Sequence, residues 1–305
     1  MTKVSVILPV YNVGRYLDET FASLLGQTLR EIEIIVVNDG STDNSEEIIK
    51  KYAAADKRIR LISQENKGQA AARNVGLGVA TGIYVYFMDA DDTISPEALE
   101  TCFRYAILRD ADICAFDGDI VYEEGARPIS WDYKQCRFMR ENRLYYCREW
   151  IEDMLSHDRF NSVVWLYLIS KRLLYLSGVK FHEGIIHEDE LFTVRAFMET
   201  KRVVCLQKSF VQHRIRSGST MGSGFTKRNI DCYITVASEI LYRNSCSTTR
   251  KYLRFMLPKV FYTAHQIPLK QKFGVFARAT IKGLLWYIGL KSILVFWFKR
   301  KRERC

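Results

Sequence analysis

Short apolar runs alternate with helix-spaced stretches along the first hundred residues. Val4 to Leu8 is apolar apart from Ser5 and of strand length. From Arg15 to Leu25 the side chains Tyr16, Leu17, Phe21, Leu24 and Leu25 recur at threes and fours, which predicts a helix. Ile32 to Val37 and Ile59 to Ile62 are two further strand-like runs. Between them Asp43-Asn44-Ser45-Glu46 has the form of a capping box, opening a helix to about Tyr52. Lys67 to Val79 is alanine-rich and predicted helical, and Ile83 to Met88 is a fourth strand that ends in acidic residues. Strands apolar on both faces, alternating with helices, imply a parallel sheet covered by helices on both sides.

The pattern then loosens. Ser95 is a candidate N-cap with Pro96 at the first helical position. Ile113 to Tyr122 predicts a strand, His187 to Thr200 a helix and Val203 to Leu206 a late strand. Glu123 to Asn142 reads as loops or a hairpin. Ser217 to Gly224 is a loop rich in Gly, Ser and Thr, and the chain beyond it is helical in character. The fold class is α/β: a Rossmann-like, mostly parallel sheet with helices on both faces in residues 1–217, and a helical C-terminal region in 218–305. The first part divides into a half at 1–110 and a second at 111–217.

Composition narrows the chemistry. The net charge of +10 and pI near 9.1 suggest an anionic partner: phosphate-bearing substrates, a lipid surface or nucleic acid. A basic surface without a partner is the alternative. None of the eight cysteines forms a C-x-x-C pair, so a zinc site is not expected. Met1-Thr2-Lys3 runs straight into a strand with no signal peptide, which fits reduced thiols in a cytoplasmic protein.

Ligands of open parallel sheets bind outside the carboxyl ends of the strands. Those ends read Pro9-Val10-Tyr11-Asn12, Asn38-Asp39-Gly40-Ser41 and Asp89-Ala90-Asp91-Asp92. On an extended backbone Asp89 and Asp91 project to one side. Two adjacent carboxylates repel, and a hard divalent ion, Mg²⁺ or Mn²⁺, resolves that. Asp92 is placed at the strand's termination. Gly68 permits close backbone approach, and Arg73 is either a diphosphate ligand or a solvated helix arginine.

Taken in order, these blocks resemble glycosyltransferase family 2, the inverting family with the GT-A fold. The resemblance runs through 4–12, 34–43, 66–76 and Asp89-Ala90-Asp91-Asp92, and a later block, His187-Glu188-Asp189-Glu190-Leu191-Phe192, resembles the family's acidic catalytic motif. It implies that Pro9 and Tyr11 line the nucleotide base pocket and that Asp39 accepts a hydrogen bond from the base. It implies Gly68 and Arg73 beside the diphosphate, Asp89 on ribose or metal, and Asp91 as direct metal ligand. Asp189 is then the general base, with Glu188 as the second candidate, and Mn²⁺ or Mg²⁺ the cofactor. The donor it implies is a nucleotide-sugar, UDP favoured. The implied acceptor is a saccharide, lipid-diphosphate-linked in capsule, O-antigen or exopolysaccharide synthesis. The Gln-x-x-Arg-Trp of processive members is absent; Val211 to Thr220 reads Val-Gln-His-Arg-Ile-Arg-Ser-Gly-Ser-Thr instead, like non-processive members. His213, Arg214 and Arg216 are either diphosphate contacts or exposed loop residues.

The tail, 283–305, is apolar from Gly283 to Phe298 apart from Lys291 and Ser292, and then strongly basic from Lys299. The run is short for a spanning helix, which needs about 20 apolar residues. Trp286, Tyr287 and Trp297 with a basic end suit an anionic leaflet, placing the protein peripherally on the inner face of the cell membrane. An ordinary core or oligomer helix is the alternative. The Trp, Phe and Leu content argues against nucleic acid. Two other classes fit the pattern less well. A nucleotidyltransferase would carry a Gly-rich basic loop after strand one, which is missing. A non-catalytic partner protein would keep the fold without the chemistry.

Overall fold

The computed structural model describes residues 1–126, 128–141, 143–216 and 225–299. The expected alternation is present. Strands β1 (Val4–Val10), β2 (Ile32–Asp39), β3 (Ile59–Gln64) and β4 (Tyr84–Phe87) are linked by helices α1 (Gly14–Leu25), α2 (Ser45–Ala55) and α3 (Gln69–Val79). These strands lie in the order β3-β2-β1-β4, all parallel. Every residue of β1 is buried, as helices on both faces require. Helix α3 packs on β1 and β2 so closely that a Cβ on Gly76 would lie 2.5 Å from Cγ2 of Ile7.

After β4 the sheet becomes mixed. The chain continues through β5 (Thr93–Ile94), α4 (Ala98–Leu108), β6 (Ile113–Tyr122), β7 (Tyr145–Tyr146), α5 (Cys147–Ser156), β8 (Tyr167–Ser170), α6 (Lys171–Ser177), α7 (Glu188–Glu199) and β9 (Arg202–Ile215). The full order is β3-β2-β1-β4-β8-β6-β9-β5, with β7 also on β9. Strand β8 sits antiparallel between β4 and β6 and was not foreseen, because four residues give too little period to read. Strand β9 runs well past the expected Val203–Leu206. Its second half carries Gln212, His213 and Arg214, and pairing with β6 and β5 rather than apolar patterning keeps it extended.

Two helix starts differ from expectation. Asp43 forms no capping box: its carboxylate accepts from Ser45 N and Gly14 N, both at 3.0 Å, while Glu46 is drawn to Asn38 Nδ2 at 2.9 Å and to Lys50. Ser95 is not the N-cap of α4. Ser95-Pro96-Glu97 makes a turn in which Ala98 N donates to the Ser95 carbonyl at 3.1 Å, and the helix begins at Ala98.

The main core surrounds the sheet. A second core lies among α7, α8 (Lys227–Arg243), α9 (Ser247–Thr263), α10 (Leu269–Ile281) and α11 (Leu290–Phe298). The apolar tail is broken at Gly289, whose φ is +78°. Leu284, Ile288 and Phe296 are buried in the second core, so part of the tail's apolar character is spent on packing. Trp286, Leu290, Leu294 and Phe298 remain exposed. Among the described residues no helix is long and apolar enough to cross a membrane. The boundary near Gly218, the loop Ser217 to Gly224 and the basic run beyond Lys299 lie outside the described residues.

Candidate active site

The loops after β1 and β2 are stitched together. Asn12, at φ +51°, accepts from Thr42 N at 2.7 Å and Asp43 N at 3.3 Å, and its own amide donates to Ser41 Oγ at 3.1 Å. Tyr11 beside it is half exposed, while Pro9 is buried within β1, so Tyr11 is the member of that pair with an open ring. Asp39 is buried and holds the next loop: Oδ1 accepts from Gln64 Nε2 at 2.7 Å and Lys67 N at 2.9 Å, and Oδ2 from Gly68 N at 2.8 Å. A carboxylate oxygen takes about two donors, so Oδ2 keeps capacity for one more. Gly68 sits at φ +87° with open space where a Cβ would be; its requirement is the left-handed backbone that starts α3.

The acidic run departs from the extended geometry its spacing suggested. Asp92 N donates to the Asp89 carbonyl at 3.2 Å, so Asp89-Ala90-Asp91-Asp92 is a turn. Asp89 Oδ1 accepts from Gln69 Nε2 and Arg73 Nη2, both at 2.9 Å. Asp91 Oδ2 accepts from Arg216 Nε at 2.8 Å. Asp92 is fully buried and meets His213 Nδ1 at 2.9 Å and Arg214 N at 2.9 Å. The strand register explains this last pairing. Thr93 faces Gln212 in the antiparallel β5–β9 ladder, and one step further sets Asp92 opposite His213.

Asp89 and Asp92 bring carboxylates together at this turn. With His213 they place three ligand atoms within 4.8 Å of one another, a set able to hold a divalent ion. Asp92 does more than end the strand. Burial pushes its carboxyl up to about 7, against the pull of His213. Burial draws His213 down, but the carboxylates of Asp92, Asp89 and Asp91 outweigh it and hold it above its ordinary value. Burial and the Asp89 charge also raise Asp91, with Arg216 opposing. Such crowded, reluctant carboxylates are what an added cation relieves.

Arg73 is buried, not a solvated helix arginine. Nη2 reaches Asp89, Nη1 reaches Glu188 Oε1 at 3.0 Å, and the guanidinium lies 5.2 Å over the Phe181 ring. Among the described residues its Nε has no hydrogen-bond partner. This one side chain joins the acidic turn after β4 to the first turn of α7. There Asp189 is half-buried, and Oδ1 accepts from Glu190 N at 2.8 Å. Burial, then the charges of Glu188 and Glu190, push its carboxyl up to about 8, with Arg73 opposing. His187, which opens the helix, is held at φ +67°; burial takes its imidazole down to about 4, so it is neutral. Arg214 and Arg216 form a basic wall: both lie over the Tyr16 ring, at 5.2 and 5.4 Å.

With this geometry in place, the comparisons decide the family. Residues 5–157 match the family model described as Glycosyl transferase family 2. The chain belongs to glycosyl transferase family 2. Relatives of this family 2 protein include the uncharacterized glycosyltransferase YibD of Escherichia coli, 34% identical over 217 residues, covering 71% of this chain and 62% of YibD. Glycosyltransferase GlyG of Streptococcus pneumoniae is 34% identical over 227 residues, covering 73% of this chain and 74% of GlyG. Among solved structures, Staphylococcus aureus TarS in complex with UDP-GlcNAc superposes with a TM-score of 0.73 at 21% identity, covering 96% of this chain and 84% of that one. The fold is the GT-A fold expected of a family 2 glycosyltransferase.

His213 was missed as a metal-type residue because only the β5–β9 register brings it to Asp92. The Arg73–Glu188 bond spans 115 residues and has no local signal in the chain.

Proposed function

We propose that this family 2 member is a non-processive, inverting transferase. It moves a hexose or N-acetylhexosamine from a UDP-sugar to a hydroxyl of a saccharide acceptor, carried on a lipid diphosphate during surface-polysaccharide synthesis. The observation that carries this reading is the Arg73 bridge between Asp89 and Glu188, which ties a donor-side acidic turn to an acceptor-side carboxylate helix. The UDP-GlcNAc bound by TarS supports the choice of donor.

Each step falls to groups of the chain itself. Tyr11 flanks the base, and Asp39 Oδ2 accepts its imide N–H. Arg214 and Arg216 balance diphosphate charge. Asp189 removes the proton of the attacking hydroxyl, a contribution of roughly 10²–10⁴-fold. The acceptor oxygen bonds to the anomeric carbon as the bond to the diphosphate oxygen breaks, and attack from the opposite face inverts the centre. Asp89, Asp92 and His213 would hold a divalent ion; the mixed oxygen and nitrogen set favours Mn²⁺ over Mg²⁺. When bound there, such an ion neutralises the charge gathering on the leaving diphosphate.

The same reading places the protein on the inner face of the membrane. No Asp or Glu occurs from Ile240 to Arg302. Over that stretch Phe273, Ile281, Trp286, Leu290 and Phe298 are exposed, with Lys270, Lys282 and Lys291 exposed among them. Exposed apolar side chains interspersed with cations along the chain suit an anionic leaflet.

Two experiments test the reading. A screen of UDP-sugars for thermal stabilisation in Mn²⁺, combined with turnover of Asp189→Ala, should show donor binding kept and transfer lost; full activity in that variant removes Asp189 as base. Flotation with phosphatidylserine vesicles should carry the wild type and fail for Leu290→Asp with Trp286→Ala. Equal flotation of both, or none of the wild type, excludes the membrane face.

A further inference from the structure

We propose that the cavity between α8–α9 and the loop after β6 binds an uncharged pyranose of the acceptor, an assignment that rests on the transfer reaction above. The cavity measures about 360 Å³, within the range of small-ligand sites. Its walls come from separate stretches of chain: Trp131 and Asp132, the segment from Arg159 to Ser162, Glu190 of α7, and Tyr233, Phe255 and Lys259 of the C-terminal helices. Only the completed fold assembles it.

Two contacts tie the cavity to the proposed base. Glu190, in its wall, follows Asp189 directly and is fixed by Ser162 Oγ at 2.5 Å and by the Tyr252 hydroxyl. Tyr233, also in its wall, stacks on His187 with ring centroids 4.1 Å apart and planes at 22°. A sugar seated here lies beside the first turn of α7, against Glu190, the residue that follows the proposed base.

The lining selects the class of ligand. Trp131, 49% exposed, offers aromatic surface for the C–H face of a sugar ring, while Lys259 Nζ lies 3.6 Å over the Phe255 ring and Tyr233 stacks on His187. The cations of the wall are already matched. Arg159 Nη1 lies 3.0 Å from Asp132, and Lys259 Nζ 2.5 Å from Asp158. A phosphate or uronate would face the carboxylates of Asp132, Asp158 and Glu190. Vicinal hydroxyls meet no such cost. They donate to the Asp132 carboxylate and accept from the Arg159 guanidinium with that pair intact. The occupant that fits is a neutral ring, and any acceptor diphosphate lies outside the cavity.

Saturation-transfer NMR on the full chain tests this, with lactose, cellobiose and N-acetyllactosamine as neutral probes and glucuronic acid and glucose 6-phosphate as charged ones. The wild type should transfer saturation to at least one neutral probe. Trp131→Ala and Asp132→Asn should each weaken that signal about tenfold, while thermal stabilisation by UDP with Mn²⁺ stays at the wild-type value and reports an intact fold. No signal from any neutral probe overturns the proposal, as does a signal indifferent to both variants or a stronger one from the charged probes. Loss of UDP stabilisation in the wild type would instead count against the transferase reading, and the NMR result would still judge the cavity on its own.

Discussion

Replacing Glu188 by Gln should shift the acid limb of the pH–rate profile towards lower pH. Asp189 must be ionised to accept a proton, so wild-type transfer rises with pH and levels off above about 8, where its carboxyl titrates. About two units below that value only about one hundredth of it is ionised. After burial, the charge of Glu188 is the largest influence holding Asp189 up. Removing a like charge from such a crevice moves a pKa by about one to three units. Two features favour the low end: Asp189 is only half-buried, and Glu190 continues to repel it. The limb should therefore move down by about one pH unit, so activity on it, relative to each enzyme's own plateau, rises roughly tenfold. The plateau itself falls, because Arg73 loses its 3.0 Å bond to Glu188 and keeps only Asp89 and the Phe181 face. The assay is UDP release with saturating donor and Mn²⁺ from about pH 5 to about pH 10. A limb that stays in place, or moves upward, would refute Asp189 as the titrating base or Glu188 as its neighbour in charge.

Other perturbations probe the same site. The Asp189 carboxyl keeps its proton up to about 8 in the folded chain and only to the ordinary value near 4 when unfolded, so its contribution to stability is full below about 4 and is lost as pH rises through about 8. Asp189→Asn removes that dependence, and its Tm should gain on the wild type as pH rises; parallel Tm curves would contradict the raised value. Tyr252→Phe strips the half-buried Glu190 of a donor and should cost about 1–3 kcal/mol in urea unfolding, whereas a neutral substitution would mean the contact is not made in solution. His213→Ala should abolish the Mn²⁺-dependent part of UDP stabilisation, which at a hundred times the dissociation constant is about 2.7 kcal/mol, more completely than Asp91→Asn does. The reverse ranking would return the metal to Asp91.

The half at 1–110 was legible because its strands are buried on both faces and its helices carry the period of three and four. The loops at the strand ends were found by the rule for parallel sheets, and Asp39, Gly68, Arg73 and Asp89 do gather there. What was lost is what depends on pairing across distance. The spacing of Asp89 and Asp91 assumed an extended chain, but β4 ends at Phe87 and the acidic residues beyond it turn. Strand β9 hides His213 in a polar stretch, held extended by hydrogen bonds to β5 and β6 that leave no periodic trace. The apolar tail was visible, but its division into a buried set with Ile288 and Phe296 and an exposed set with Leu290 and Phe298 needed the second core as reference.

Helix α7 is the seam between the two cores, and this bears on where catalysis is built. Phe192, Ala196 and Phe197 pack into the sheet's core, while Leu191 and Val194 belong to the core of the C-terminal helices. The first turn of α7 is held from both sides. Arg73 grips Glu188 from α3. Tyr252 of α9 grips Glu190. His187 needs outside support most, since a non-glycine residue at φ +67° is strained. That support comes from α8: Tyr233 stacks on its ring, and Asn229 Nδ2 donates to its Nε2 at 3.3 Å. The left-handed turn at His187 sets the direction in which Asp189 leaves the loop, and so the C-terminal helices help aim the proposed base. A chain cut near Gly218 would bare Leu191 and Val194, strip Glu190 of its Tyr252 donor and deprive His187 of Tyr233 and Asn229, so the proposed base would lose its aim.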